Sequence, residues 1–191
     1  VSETIKIKTT NGFTIEGTLE HPIYVKSANG DHEWKRLEDI VNGDAIMSMG
    51  HEQNPVWGLS SVTYDVSKIP DEYPKDLLSA TKESNKNFIE NLLATYAKED
   101  FESLTVTATE SFLADLQVIL FHGFLVLSQN EGETLKIQKS QLNNLQSSGL
   151  SVLFGLEGNT VSNINHYEVV CSKKLVVKEQ FVYDVTVPQG H

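Results

Sequence analysis

Cysteine is almost absent from this chain. The 191 residues hold one, Cys171, so no internal disulfide can form and packed cores must carry the stability. That usage fits a reducing compartment, and the expected location is the cytoplasm. Long apolar runs are missing too. The best candidate, residues 118–127, is broken by His122 and Gly123 and is about half of the ~20 residues a membrane helix needs. The opening TIKIKTTNG alternates apolar with polar residues and does not read as a secretory leader. Basic residues are scarce: 15 Lys and Arg against 26 Asp and Glu give a net charge of −11. No basic run exceeds two residues, and Lys173-Lys174 reads as a solvated strand face. Such a balance repels a phosphate backbone unless a basic face is segregated, which argues against nucleic acid as the main partner. Internal repeats and low-complexity segments are also lacking.

What is present is ordinary for a globular chain, with 39% hydrophobic and 21% charged residues. Three textures follow one another. In the first, to about Gly50, Ile5 and Ile7 alternate with Lys6 and Lys8. Asn11-Gly12 marks a tight turn, and Phe13 and Ile15 resume the alternation, a hairpin signal. Further short strands are expected at 23–25 and 45–48. One helical turn is expected over 36–40, with turns at 27–31 and 42–44.

The second texture, roughly 53–163, is mixed. Phe88, Ile89, Leu92, Leu93 and Tyr96 fall on one helical face. Leu104 and Val106 alternate with threonines as a strand. Thr109 or Ser111 can cap a helix burying Phe112, Leu116, Ile119 and Leu120. Strands at 124–127 and around Leu135 and Ile137 follow, then a short helix from Ser140. The third texture, from about His166, returns to strands at 169–170, 175–177 and 182–187. A β, then α/β, then β order predicts a domain split by an insertion, whose outer parts close on each other.

Two stretches carry candidate chemistry. In GTLEHPIYV, a turn can bring Thr18 and His21 to one centre. A histidine side chain can exchange a proton near neutral pH, so His21 is a candidate to protonate a leaving amine. Pro22 pushes it towards an extended backbone. A histidine simply satisfied within a turn is the alternative on this pattern alone. In VYDVTVPQGH, Asp184 shares a strand face with Val182 and Thr186. A carboxylate on such a face is uncommon unless paired, edge-exposed or functional. His191 follows a Pro-Gln-Gly turn. Cys171 reads as a small buried residue rather than a nucleophile.

GTLEHP resembles the histidine block of inteins, and VYDVTVPQGH their later tyrosine–aspartate block. WKRLEDIVNGDAI resembles the helix and glycine–aspartate turn between them. The resemblance implies the mainly β Hint horseshoe over residues 1–52 and 164–191, and protein splicing without a cofactor or metal. It implies that His21 assists the first acyl shift, with Thr18 supporting its geometry. Asp184 then couples the two cleavages, and His191 assists asparagine cyclisation. The substrate would be the covalently attached exteins, and the location would follow the host protein. Val1-Ser2-Glu3 does not match the block that begins with a Cys or Ser nucleophile, and the terminal His-Asn is not in the chain. The expectation is therefore splicing in trans with a complementary N-terminal fragment, or an incomplete fragment. A non-splicing Hint autoprocessing domain is an alternative.

Residues 53–163 resemble half of a LAGLIDADG homing endonuclease, with NFIENLLATY at the signature helix and ETLKIQKSQLNNL at the last strand and helix. The resemblance places Asn91 at a small-residue position and Tyr96 where a metal-binding carboxylate belongs. Glu99 and Asp100 come too late. The stretch 98–103 reads as too short for the first strand of a DNA-binding hairpin. Residues 65–145 hold seven lysines and thirteen acids, a net of −6. The reading is a degenerate nuclease without metal, DNA binding or cleavage. The alternative from another class is an active DNA-binding or cleaving module.

Overall fold

The computed structural model describes residues 2–27, 29–51, 57–145 and 163–178. In chain order the elements are β1 (Ser2–Thr9), β2 (Thr14–Thr18), β3 (Pro22–Lys26), β4 (His32–Arg36), a 3-10 turn (Leu37–Asp39) and β5 (Ala45–His51). Then come α1 (Lys75–Leu78), α2 (Lys82–Tyr96), β6 (Lys98–Glu99), β7 (Ser103–Thr107) and α3 (Glu110–Phe124). Finally there are β8 (Ser128–Asn130), β9 (Thr134–Gln138), a 3-10 segment (Lys139–Leu145) and β10 (Asn163–Lys178). The fold is mainly β, and every strand pair with a described register is antiparallel.

The chain divides into two units, with boundaries at 47/48 and 168/169; the sequence reading put the junctions at 52/53 and 163/164. The first unit holds 2–10, 14–47 and, among the described residues, 169–178. Its sheet order is β2-β1-β10-β5-β3-β4, so β10 lies between strands that precede it by more than a hundred residues. Ile5 and Ile7 point to the core because β1 alternates. They pack with Val25, Leu37, Ile40, Ile46 and Val170. The Ile7 pairing is with Ile15 on one side and Lys173 on the other.

The first hairpin differs from expectation. Lys8 pairs with Thr14, so a five-residue loop connects the strands rather than a two-residue Asn-Gly turn. Gly12 still adopts a positive φ of 90°. A Cβ there would lie 2.1 Å from the Asn130 carbonyl oxygen, so only glycine fits. Residues 11–13 belong to the second unit. There the Asn11 carbonyl accepts from Asn130 N–H at 2.8 Å and from Gln117 Nε2 at 2.8 Å, and Phe13 packs edge-on to Phe121.

The second unit has its own core. Phe88, Ile89, Leu92 and Leu93 from α2 meet Phe112, Leu116 and Leu120 from α3 and Leu104, Val106, Leu135 and Ile137 from the sheet. Both helices start as their sequences direct: the Thr81 and Thr109 hydroxyls accept from the Ser84 and Phe112 amides. The sheet order is β6-β7-β9-β8. Residues 98–99 do form a strand, but of only two residues. The strand expected at 124–127 is not there. Helix α3 runs to Phe124 and ends at Leu125 in the left-handed conformation, φ 57°. The strand begins four residues later than expected, at Ser128.

The strands expected at 169–170 and 175–177 are parts of the single strand β10. What joins them is a bulge. Lys8 pairs with Ser172 and Thr9 with Val170, leaving Cys171 as the extra residue. That corrects the expectation for Cys171. Its side chain is exposed, and its thiol donates to the Lys8 carbonyl at 3.3 Å. The strand expected at 182–187 lies outside the described residues. Among the described residues no helix is long and apolar enough to cross a membrane.

Candidate functional site

Thr18 and His21 lie at the two ends of one reverse turn. His21 N–H donates to the Thr18 carbonyl at 3.1 Å, closing a four-residue turn through Leu19 and Glu20. The local sequence explains it. Thr18 ends β2, and Pro22, with no N–H to satisfy, opens β3. The His21 imidazole is exposed and Thr18 half-buried. Gly17 leaves the space beside His21 unfilled: a Cβ built there would lie 3.7 Å from His21 Cβ and 3.8 Å from Cγ, and 3.4 Å from Leu37 Cδ2, all ordinary contact distances.

The turn is gripped from the 3-10 segment. Leu37 N–H donates to the His21 carbonyl at 2.9 Å, and Glu38 N–H to the Leu19 carbonyl at 2.9 Å. Leu37 is fully buried and anchors that segment in the core. Behind Thr18, its cross-strand neighbour Thr4 is buried and donates to Glu16 Oε1 at 2.9 Å. The result is an accessible imidazole on a backbone fixed at both ends. Such a group can carry a proton to or from an attached substrate. Asp184 and His191 lie outside the described residues; of the four expected site residues the structure describes Thr18 and His21, joined by the backbone of one turn.

Little in the sequence signals a buried carboxylate in the first unit, Asp44, which is 1% exposed. Lys35 Nζ lies 3.0 Å from both of its oxygens. Val41 N–H donates to Oδ2 at 3.0 Å. Its backbone carbonyl accepts from Val170 N–H at 2.8 Å, and Gly43 N–H donates to the Val170 carbonyl. The side-chain hydrogen bond to Asp44, outweighing desolvation, holds the Lys35 ammonium above its ordinary pKa of 10.5. These contacts make Asp44 a fastener between the Asn42-Gly43 turn, β4 and β10. The aspartate directly after Asn-Gly was the only sign of it in the sequence.

In the second unit the end of α2 carries no carboxylate. Tyr96, at the position the resemblance gives to a metal ligand, donates its hydroxyl to the Val66 carbonyl at 3.0 Å. Glu99 is paired with Lys139. Asp100 organises the β6–β7 turn, accepting from the amides of Glu102 and Ser103 and from the Ser103 hydroxyl. Its carboxyl is held below its ordinary value by the Ser103 side chain first and the two amides next. Asp115 is pushed up by burial and then by Glu72. Burial, then Asp115, pushes the Tyr73 phenol up. That phenol donates to Asn85 Oδ1 at 2.9 Å, and Asn85 Nδ2 reaches the Leu77 and Thr81 carbonyls. This network is saturated internally and reads as core architecture. Among the described residues no group of three or more His, Cys, Asp or Glu side chains is placed to hold a metal ion.

No protein-family model and no curated protein sequence matches this chain.

Proposed function

We propose that the chain is a Hint-type protein-splicing element that rearranges its own flanking peptide bonds, in one chain with its junction residues or in trans with a complementary fragment. The observation that carries the reading is the closure of distant segments. β10 pairs between β1 and β5, so segments separated in sequence by the second unit build one sheet. Splicing chemistry needs that closure, because its two scissile bonds lie at opposite ends of the element. The second support is the exposed His21 on its gripped turn, next to the half-buried Thr18.

In this reading an upstream Cys or Ser side chain attacks the carbonyl before it. The amide C–N bond breaks as the thioester or ester forms, and His21 delivers the proton that the leaving nitrogen takes up. Asp184 and His191 are assigned to the later steps by the sequence resemblance alone. The interposed unit is read as a nuclease remnant, supported by Tyr96 in place of a carboxylate and by its acidic balance.

The test is a precursor in which the chain, with its encoded flanks, joins two reporter proteins. Ligated reporters are expected. Replacing His21 by Ala should slow the first cleavage on the order of 10²-fold or more, the usual range for losing a positioned proton donor. A precursor that yields neither ligation nor cleavage would refute the splicing reading. Magnesium-dependent cutting of a specific DNA would refute the remnant.

A further inference from the structure

The grip on the His21 turn has an outer fastening. Lys173 Nζ donates to the Glu38 carbonyl at 2.7 Å, within the 3-10 turn whose amides hold the carbonyls of Leu19 and His21. That turn has no side-chain hydrogen bond at its start and no basic residue in its own last turn. Lys173 supplies from another strand the cation that a carbonyl-rich helix end favours. Its place is unusual for a lysine. On β10 it stands opposite Ile7, on the face that carries Ile7 and Ile15. A lysine there is exposed and long enough to carry its ammonium beyond the strand, and the Glu38 carbonyl oxygen is its partner.

We propose that Lys173 is a positioning residue for His21: by binding the Glu38 carbonyl it locks the 3-10 turn, and so sets where the imidazole stands. What His21 does with that placement rests on the splicing reading; the lock itself does not. The arrangement makes the site conditional. His21 is fully held only when β10 is seated, and β10 belongs to the segment whose sequence goes on to Asp184 and His191. The first reaction centre is thereby tied to the arrival of the part that completes the later ones.

The test uses the 191-residue chain and amide hydrogen exchange read by NMR. In Lys173→Ala and Lys173→Met the Leu37 and Glu38 amides should exchange about fivefold to tenfold faster, the scale of one exposed hydrogen bond at its typical net strength. The His21 ring signals should shift. The Met variant keeps the stem, so its loss isolates the charge. Lys173→Arg should restore most of the protection, and the Tyr24 and Trp34 amides of the neighbouring hairpin should be unmoved in all three. Unchanged Leu37 and Glu38 protection in the Ala and Met variants would overturn the proposal. In a precursor carrying its flanks, Lys173→Ala should slow thiol-induced N-terminal cleavage about tenfold, with rescue by Arg. Wild-type rates in the Ala variant would also overturn it. A wild-type precursor that does not cleave counts against the splicing reading, while amide exchange still decides the lock.

Discussion

Asp44 shows how a single residue can tie three segments. Its carboxylate is buried and bound by Lys35 and the Val41 amide. Removing the lysine therefore leaves a charge with too few partners, a larger penalty than the pair was worth. Lys35→Met should lower the stability of the first unit by about 3 kcal/mol, read from its urea midpoint at pH 7. The pH dependence follows from the same pair. The folded-state pKa of Lys35 is raised, so its contribution is fully present below about 10.5, the unfolded value. It is lost as pH rises through the folded value. Wild type should thus lose stability above pH ~10.5 more steeply than the Met variant, and parallel profiles would contradict the pairing. Legibility at this scale was uneven. The turn joining Thr18 and His21 was legible because its closing hydrogen bond spans three residues. Lys173 was not, because its partner Glu38 lies 135 residues away, and Asp44 was not, because its burial is set by the distant strand whose Val170 meets its backbone. Cys171 misled because burial was inferred from residue type, whereas a bulge turned it outward.

At the scale of elements, helical periodicity spoke clearly and short apolar runs did not. The faces of α2 and α3 were legible from spacing because a 3.6-residue period leaves a repeated stripe. Residues 124–127 are apolar throughout, and such a run reads equally as a strand or a helix end. The structure makes it a helix end. Leu125 N–H donates to the Phe121 carbonyl at 3.0 Å and Val126 N–H to that of Leu120 at 2.9 Å. Leucine at a left-handed position normally gives way to glycine, with a backbone penalty of about 1–2 kcal/mol. Leu125 is 3% exposed, and burying it contributes roughly 1.5–3 kcal/mol before any cavity is counted. Burial wins. Leu125→Gly should therefore destabilise the second unit by about 1–2 kcal/mol, against the usual benefit of glycine there. A rise in its denaturation midpoint would show that the backbone term dominates. The strands at 169–170 and 175–177 were placed correctly and separated wrongly. An unpaired residue inside a strand breaks the alternation without breaking the strand.

For the whole molecule, the short alternating strands in the sequence anticipated a mainly β fold. They could not show which strands would be neighbours, since pairing over a hundred residues leaves no local signature. Among the described residues the two cores share none, and the expectation is that each melts as its own cooperative unit. Calorimetry should resolve two transitions. Leu92→Ala should lower one and Ile7→Ala the other, each by the roughly 2–5 kcal/mol of a large-to-small core substitution. One transition shifted equally by both changes would mean the units melt together.

The loop of residues 11–13 has a consequence on another timescale. Its Gly12 lacks room for a side chain because of Asn130, the Asn11 carbonyl is occupied by Asn130 and Gln117, and Phe13 rests on Phe121. All of these partners are encoded in the interposed stretch. A descendant that lost that stretch by deletion would keep the hairpin but not the reasons for its tip. Selection on these three positions would relax together, Phe13 drifting first towards polar residues as its apolar cover vanished. The three residues of this tip thus answer to partners encoded more than a hundred positions later, and should vary with them rather than with the strands they join.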